Sequence, residues 1–234
     1  MDKLFIIIPA YNEEENIKYV IKDWYPIIEK VGNDSKLLII NDGSKDHTLK
    51  IIEEEGKYRP DLMVLNKENS GHGGTILYGY QYGIKEKADY IFQTDSDGQT
   101  LPEEFWDFWK VREKYDMVIG NRNKREDGLS RIIVSQVLKL LLGLIFGVFV
   151  VDANTPYRLM KVDTLKAYID IIPDDYNLTN VLVTVIFHKK GKEVKYLPIT
   201  FRQRQGGVNS INFTKIMKIG LHAIQDFHKI KKSL

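Results

Sequence analysis

The chain reads as an α/β fold, a mostly parallel mixed sheet flanked by helices, and three observations carry that reading. Short apolar runs rich in Ile, Leu and Val alternate with longer stretches of helical periodicity, the pattern of successive βαβ units. The runs read as strands buried on both faces, as parallel strands are. Polar clusters follow the first, second and fourth runs, where the carboxyl ends of parallel strands place ligand sites.

Taken in order, strands are expected at Leu4–Ile8, Lys36–Asn41, Leu62–Leu65, Tyr90–Thr94 and Met117–Asn121. Helices are expected near Glu14–Val31, Asp46–Gly56, Gly74–Lys87 and Pro102–Lys114. The second half opens on the apolar stretch Ile132–Val151, broken only by Ser135, Gln136 and Lys139, and then the polar turn Asp152-Ala153-Asn154-Thr155-Pro156. A helix over Leu178–Lys189, a strand over Glu193–Phe201 and a basic amphipathic helix from Phe213 to about Ile230 close the chain. No internal repeat and no low-complexity linker interrupts it, so residues 1–234 form one domain.

Composition narrows the function. Net charge is +2 from 34 basic and 32 acidic residues, which gives no clustered basic excess for nucleic acid. The absence of cysteine excludes disulfides, thiolate nucleophiles and Cys-based zinc sites. The N-terminus runs straight into a strand, without the basic start and longer apolar core of a secretory signal, so a cytoplasmic location is expected.

Asp95 and Asp97 follow the fourth strand at i and i+2, so on extended backbone their carboxylates share a face. Two such anions repel unless a cation lies between them or one is protonated. Mg²⁺ or Mn²⁺ suits carboxylate oxygens and leaves positions for substrate phosphates, and Gln99 could add an oxygen. An Asp-x-Asp-Gly run is also an ordinary solvated turn. Asp42 ends the second strand, where it could meet a nucleobase, and Asp46 or Ser44 reads as a helix cap. Asn12-Glu13-Glu14 reads either as ligand contacts or as the acidic first turn of a helix. Gly73 lies in a Gly-rich turn that either lets backbone approach a ligand or simply turns, and His72 reads as a loop histidine. Arg122, Arg131, Arg158, Arg202 and Arg204 each alone read as surface residues, but several fall in polar turns and suit bidentate phosphate binding.

In this order the segments resemble family 2 glycosyltransferases of the GT-A fold over nearly the whole chain. Ile8-Pro9-Ala10-Tyr11-Asn12-Glu13-Glu14 and Asn41-Asp42-Gly43-Ser44-Lys45-Asp46 are similar to the family's first two motifs, and Gln93-Thr94-Asp95-Ser96-Asp97-Gly98-Gln99 to its metal-binding segment. The resemblance implies that Pro9, Tyr11, Glu13, Asp42, Gly73 and Asp95 bind a UDP- or GDP-sugar, and that Asp95, Asp97 and Gln99 hold Mg²⁺ or Mn²⁺. Residues 1–122 would then be the nucleotide-sugar half and 123–234 the acceptor half.

Within the family the likeness is to dolichyl- and polyprenyl-phosphate sugar synthases. Arg131 and Ser135 precede the apolar helix, Asp152 to Arg158 follow it, and Arg204-Gln205-Gly206-Gly207-Val208-Asn209-Ser210 comes late. This implies that Arg122, Arg131, Ser135, Arg158, Arg204 and Ser210 grip phosphates. Pro156, Tyr157 and Asn209 stand where those relatives have Gly, Phe and Ser, and Asn177-Leu178-Thr179-Asn180-Val181 lacks the glutamate many of them carry.

The resemblance implies inversion by direct displacement. A sugar hydroxyl calls for a carboxylate base, whereas a phosphate monoester already carries about −1.5 to −2 charge. The missing glutamate therefore points to a lipid phosphate acceptor, with Asp152 as the fallback base. About 12 apolar residues, Leu140–Val151, are too few to span a bilayer, which takes ~20. With the Lys-rich closing helix they suggest peripheral attachment to a membrane surface. A transferase acting on a polysaccharide hydroxyl and a silent nucleotide-sugar-binding protein are the rival readings. A sugar nucleotidyltransferase would show an early Gly-rich loop, which Pro9-Ala10-Tyr11-Asn12 is not.

Overall fold

The computed structural model describes residues 2–122, 129–174, 176–202 and Phe227, with the side chains of residues 129–135 outside the description. Seven strands form one sheet: β1 (Leu4–Ala10), β2 (Lys36–Asp42), β3 (Leu62–Lys67), β4 (Tyr90–Gln93), β5 (Met117–Arg122), β6 (Arg158–Lys161) and β7 (Val194–Ile199). The spatial order is β3-β2-β1-β4-β6-β5-β7. All pairings are parallel except those of β6, which runs antiparallel between β4 and β5.

Strand β1 is buried along its whole length, and its alternation decides what each face receives. Leu4, Ile6 and Ile8 join Leu37 and Ile39 under α1 (Ile17–Val31), through Trp24 and Ile28. Phe5 and Ile7 join Leu38 and Ile40 under α3 (Gly71–Lys85), through Ile76, Leu77 and Tyr80. Pro9 sits in this central strand without breaking a ladder. The pairing of β1 with β4 ends at Ile7 and Gln93, where Thr94 N donates to Ile7 O at 3.1 Å, so the missing N–H of Pro9 falls beyond the paired region.

Beneath α4 (Phe105–Val111) lies an aromatic cluster centred on Phe92 of β4, whose ring meets Tyr157 at 4.7 Å, Phe105 at 5.1 Å and Trp24 at 5.3 Å between centroids. On the opposite face, α5 (Leu129–Phe146) and α7 (Thr179–Lys189) add Leu142, Phe146, Leu182 and Phe187. Helices α2 (Thr48–Gly56) and α6 (Val162–Lys166) complete the set.

The strands and helices expected within the described residues occur, but three features differ. β6 and α6 were not anticipated, because a four-residue strand carrying Arg158 and Lys161 has no apolar run to mark it. The apolar stretch does not stay helical: α5 ends at Phe146, where Gly147 takes φ 67° and its N–H bonds Gly143 O at 2.9 Å, leaving residues 147–151 as a loop. The closing helix lies outside the described residues except for Phe227, whose buried ring meets Phe146 edge-on at 5.3 Å.

Phe92→Ala would empty the centre of the aromatic cluster and should cost about 3–5 kcal/mol of stability, read as a lower denaturant midpoint at unchanged slope.

Candidate active site

All seven strands put one end on the same edge of the sheet. β1, β2, β3, β4, β5 and β7 finish there at Ala10, Asp42, Lys67, Gln93, Arg122 and Ile199. β6 runs the other way and begins there, with Arg158 paired to Gln93. The chain winds outward from β1 through β2 to β3 and then returns to the other side of β1 as β4. The edge between β1 and β4 is thus a switch point, where loops diverge and open a crevice.

The loops after β1 and β2 are bonded to each other. Asn12 N donates to Ser44 Oγ at 3.0 Å and Lys45 N to Asn12 Oδ1 at 2.8 Å. Glu13 N donates to Thr48 Oγ1 at 2.8 Å, Glu14 N to Asp46 Oδ2 at 3.2 Å, and His47 N to Glu14 Oε2 at 2.9 Å. Asn12 takes φ 55°, tolerable for Asn in such a turn. The buried Glu13 carboxylate accepts from Asn16 Nδ2 at 2.8 Å. Much of both motifs therefore builds the crevice wall, while the Tyr11 ring stays 40% exposed at the strand end, open to a ligand.

Asp42 is similarly committed. Its Oδ1 receives Lys67 Nζ at 2.6 Å and Ser70 N at 2.9 Å, and its Oδ2 receives Gly71 N at 3.0 Å. It thus anchors the first turn of α3, where a negative charge favours the helix dipole, and keeps little of its roughly four lone-pair positions for a base. Lys67 was invisible to sequence reasoning, since a lone lysine at a strand end carries no signal. Gly73 lies against the backbone before α7: a Cβ there would lie 2.2 Å from Tyr176 O and 2.5 Å from Asn177 O, while Thr179 Oγ1 donates to Gly73 O at 2.9 Å, so this close approach alone requires glycine.

Asp95 and Asp97 occupy the loop after β4 and are partly exposed. His72 Nε2 lies 3.6 Å from Asp95 Oδ1, and Gln99 N donates to Asp97 Oδ1 at 3.1 Å. The Gln99 amide donates to Arg202 O at 2.8 Å, so its Oε1 is the atom it could offer a metal. Arg202 in turn ties this loop to the segment after β7, through its N–H to Gln99 O at 2.8 Å and Nη2 to Gly98 O at 3.3 Å. Among the described residues no cluster of three acidic or histidine ligands forms. Two partly exposed carboxylates on one loop suit a hard divalent ion completed by substrate oxygens and water.

The arginines divide. Arg122 lies against Asp152, Nε to Oδ2 at 2.9 Å and Nη2 to Oδ1 at 3.2 Å, with Phe201 5.2 Å from its guanidinium carbon. Arg158 departs from the expected phosphate grip. It is fully buried and donates to Thr155 O (3.1 and 2.7 Å), Ala153 O (3.2 Å), Asn180 O (2.8 Å) and Thr184 Oγ1 (3.3 Å). Burial lowers its pKa. Those carbonyls hold the guanidinium away from solvent and substrate alike, so Arg158 frames the site. Beside it Tyr80 OH bonds Gln93 Oε1 and reaches Asn180 Oδ1 at 3.4 Å, and burial pushes the phenol far above its ordinary value. Arg131 and Ser135 lie in the first turns of α5 with their side chains outside the description, and Arg204 and Ser210 lie outside the described residues.

The family described as Glycosyl transferase family 2 matches residues 5–166. An undecaprenyl-phosphate mannosyltransferase of Micrococcus luteus is 26% identical over 220 residues, 90% of this chain and 88% of that protein. A polyprenol monophosphomannose synthase of Mycolicibacterium smegmatis is 25% identical over 223 residues, 92% and 83% respectively. In shape the chain is similar to glucosyl-3-phosphoglycerate synthase of Mycobacterium tuberculosis, crystallised with Mn²⁺, UDP-glucose and phosphoglyceric acid. The TM-score is 0.73 at 15% identity, covering 99% of this chain and 80% of that one.

Two outcomes test the wall. Gly73→Ala forces a methyl against backbone that cannot yield, and should cost about 1–3 kcal/mol in chemical denaturation. For Asp46, burial acts to raise the carboxyl, but bonds from the Thr48 hydroxyl and N–H and from Glu14 N–H outweigh it and hold the pKa below its ordinary value. Its stabilisation is therefore present above the unfolded pKa of about 3.9 and fades as pH falls through the folded value. The melting-temperature gap between wild type and Asp46→Ala should be wide at pH 7 and narrow below about pH 4.

Proposed function

The chain belongs to glycosyl transferase family 2, and on that premise we propose that it moves a sugar from a nucleotide-diphosphate donor to a polyprenyl phosphate, with inversion at the anomeric carbon. The observation that carries the acceptor is which carboxylates the site offers. Helix α7 has none, its start reading Asn177-Leu178-Thr179-Asn180-Val181 without the glutamate that the resemblance leads one to expect there, and Asp152 is bound up with Arg122. A hydroxyl acceptor would need a base, whereas a phosphate monoester oxygen attacks without one. The names of the Micrococcus and Mycolicibacterium relatives support the same reading.

The donor enters the crevice between β1 and β4, its base against Tyr11 and its diphosphate toward Asp95 and Asp97. These two carboxylates would hold Mg²⁺ or Mn²⁺, which when bound stabilises the charge gathering on the departing diphosphate. Arg131, Ser135, Arg204 and Ser210 gather the acceptor phosphate, Arg122 takes a substrate phosphate beside Asp152, and Arg158 holds the carbonyls of Ala153 and Thr155.

A lipid acceptor needs an apolar approach. Val137, Leu140 and Leu144 project from α5 at helical spacing, and Phe149 and Val151 follow from the next loop, all exposed, with Phe149 at 87%. Such a cluster is unusual for solvent but suited to a shallow seat at a membrane surface, on the cytoplasmic side in this reading. No helix among the described residues is long and apolar enough to cross a bilayer.

Purified protein given UDP- and GDP-sugars should transfer sugar to a polyprenyl phosphate only with a divalent ion. Asp95→Ala or Asp97→Ala should lower turnover by ~10²-fold or more. Efficient transfer to a soluble sugar hydroxyl, or full turnover in EDTA, would overturn the assignment. Leu144→Glu combined with Phe149→Glu should shift the protein out of the floating fraction with anionic vesicles while leaving nucleotide binding intact.

A further inference from the structure

We propose that Asp152 is a positioning residue: it locks the Arg122 guanidinium along its Nε–Nη2 edge so that the Nη1–Nη2 edge meets a phosphate, and it accepts no proton in the reaction. The proposal rests on the reading of the chain as a transferase with phosphate-bearing substrates. Its observations are geometric. Arg122 is the last residue of β5 and Asp152 lies on the loop between α5 and β6. The pair is bidentate through Nε and Nη2, at 2.9 and 3.2 Å. Phe201 covers the guanidinium at 5.2 Å. With one edge and a face engaged, the guanidinium can turn little. Among the described residues Nη1 has no partner, so Nη1 and the outer hydrogen of Nη2 form a preset fork of the kind that takes two oxygens of one phosphate.

Burial separates the roles. Asp152 is the deeper partner, its side chain 6% exposed against 13% for Arg122. Both of its oxygens lie on the guanidinium, and Oδ1 also accepts Asn154 N at 3.2 Å. A base has to reach a substrate proton, and this carboxylate is screened by the cation it holds. Its loop is fixed from behind, because Arg158 binds Ala153 O and Thr155 O. On the other side Phe201 adjoins Arg202, which is bonded to the loop carrying Asp95 and Asp97. The fork is therefore linked to the candidate metal loop through the segment after β7, and the phosphate it takes belongs to the acceptor or to the donor diphosphate.

The test is a double-mutant cycle on the full chain with Asp152→Asn, Arg122→Lys and the pair. It uses citronellyl phosphate as acceptor, with nucleoside diphosphate binding in Mn²⁺ measured separately. Asp152→Asn should raise KM for the prenyl phosphate by ~10-fold while kcat at saturation stays within about threefold and the pH–rate profile keeps its shape. The double variant should be no worse than the poorer single one, because both break one device. The same pattern in nucleoside diphosphate Kd, with acceptor KM unmoved, assigns the fork to the donor and equally supports positioning.

A collapse of kcat in Asp152→Asn with loss of an ionisation from the pH profile would make Asp152 the base and overturn the proposal, as would additive effects. If Asp152→Asn does not fold, Phe201→Leu, which removes the covering ring and leaves the ion pair, should raise the same constant, and an unchanged constant sinks the idea. A wild-type chain that glycosylates a hydroxyl instead of a phosphate refutes the proposed acceptor, while the nucleotide arm still reads the Arg122 fork. Binding of neither phosphate by wild type overturns both.

Discussion

The Arg158 guanidinium, buried at the start of β6, is the interaction on which the geometry of the site depends. A cation taken out of water is costly unless its donors are all met, and here carbonyls meet them instead of a carboxylate. Those carbonyls come from the loop after α5 and from the first turn of α7. One side chain thus fastens two segments of the second half to the strand that pairs with β4. The polar Tyr80 and Asn180 beside it make the same edge polar to its floor.

On the donor side the organising device is different. Backbone N–H groups of residues 12–14, Lys45 and His47 are met by side chains across the gap, so the two loops form one wall. Asp42 does the same for α3. Rigid walls of this sort hold a bound ligand in register, since little ordering is left to be done on binding.

How much of this was legible beforehand follows from what each residue has to do. Strands buried on both faces announce themselves, and so β1, β2, β4 and β5 were found to within a residue or two. Asp95 and Asp97 stand out in the sequence less by themselves, since paired acids before a glycine also make an ordinary turn, than by their order with the motifs after β1 and β2, and the fold sets them in the loop after β4. Arg158 was misjudged: its neighbours Thr155 and Pro156 look like a polar turn, and nothing local reveals that the strand begins there, antiparallel and beneath α7. The motif residues Asn12, Glu13 and Asp42 were recognised as important but not as partners of Ser44, Thr48 and Lys67, because those contacts span some 25 to 35 positions. Phe201 went unnoticed for the same reason: its significance lies wholly in Arg122, across the sheet edge.

The contact of Gly73 with Tyr176 and Asn177 has a mechanical corollary. Two backbones that touch without an intervening side chain cannot slide past one another, since interfaces packed this closely shift by discrete steps rather than by degrees. Helix α3 is therefore keyed to the segment that leads into α7, and a gradual slide of one along the other is opposed by backbone as well as by the bond from Thr179 to Gly73.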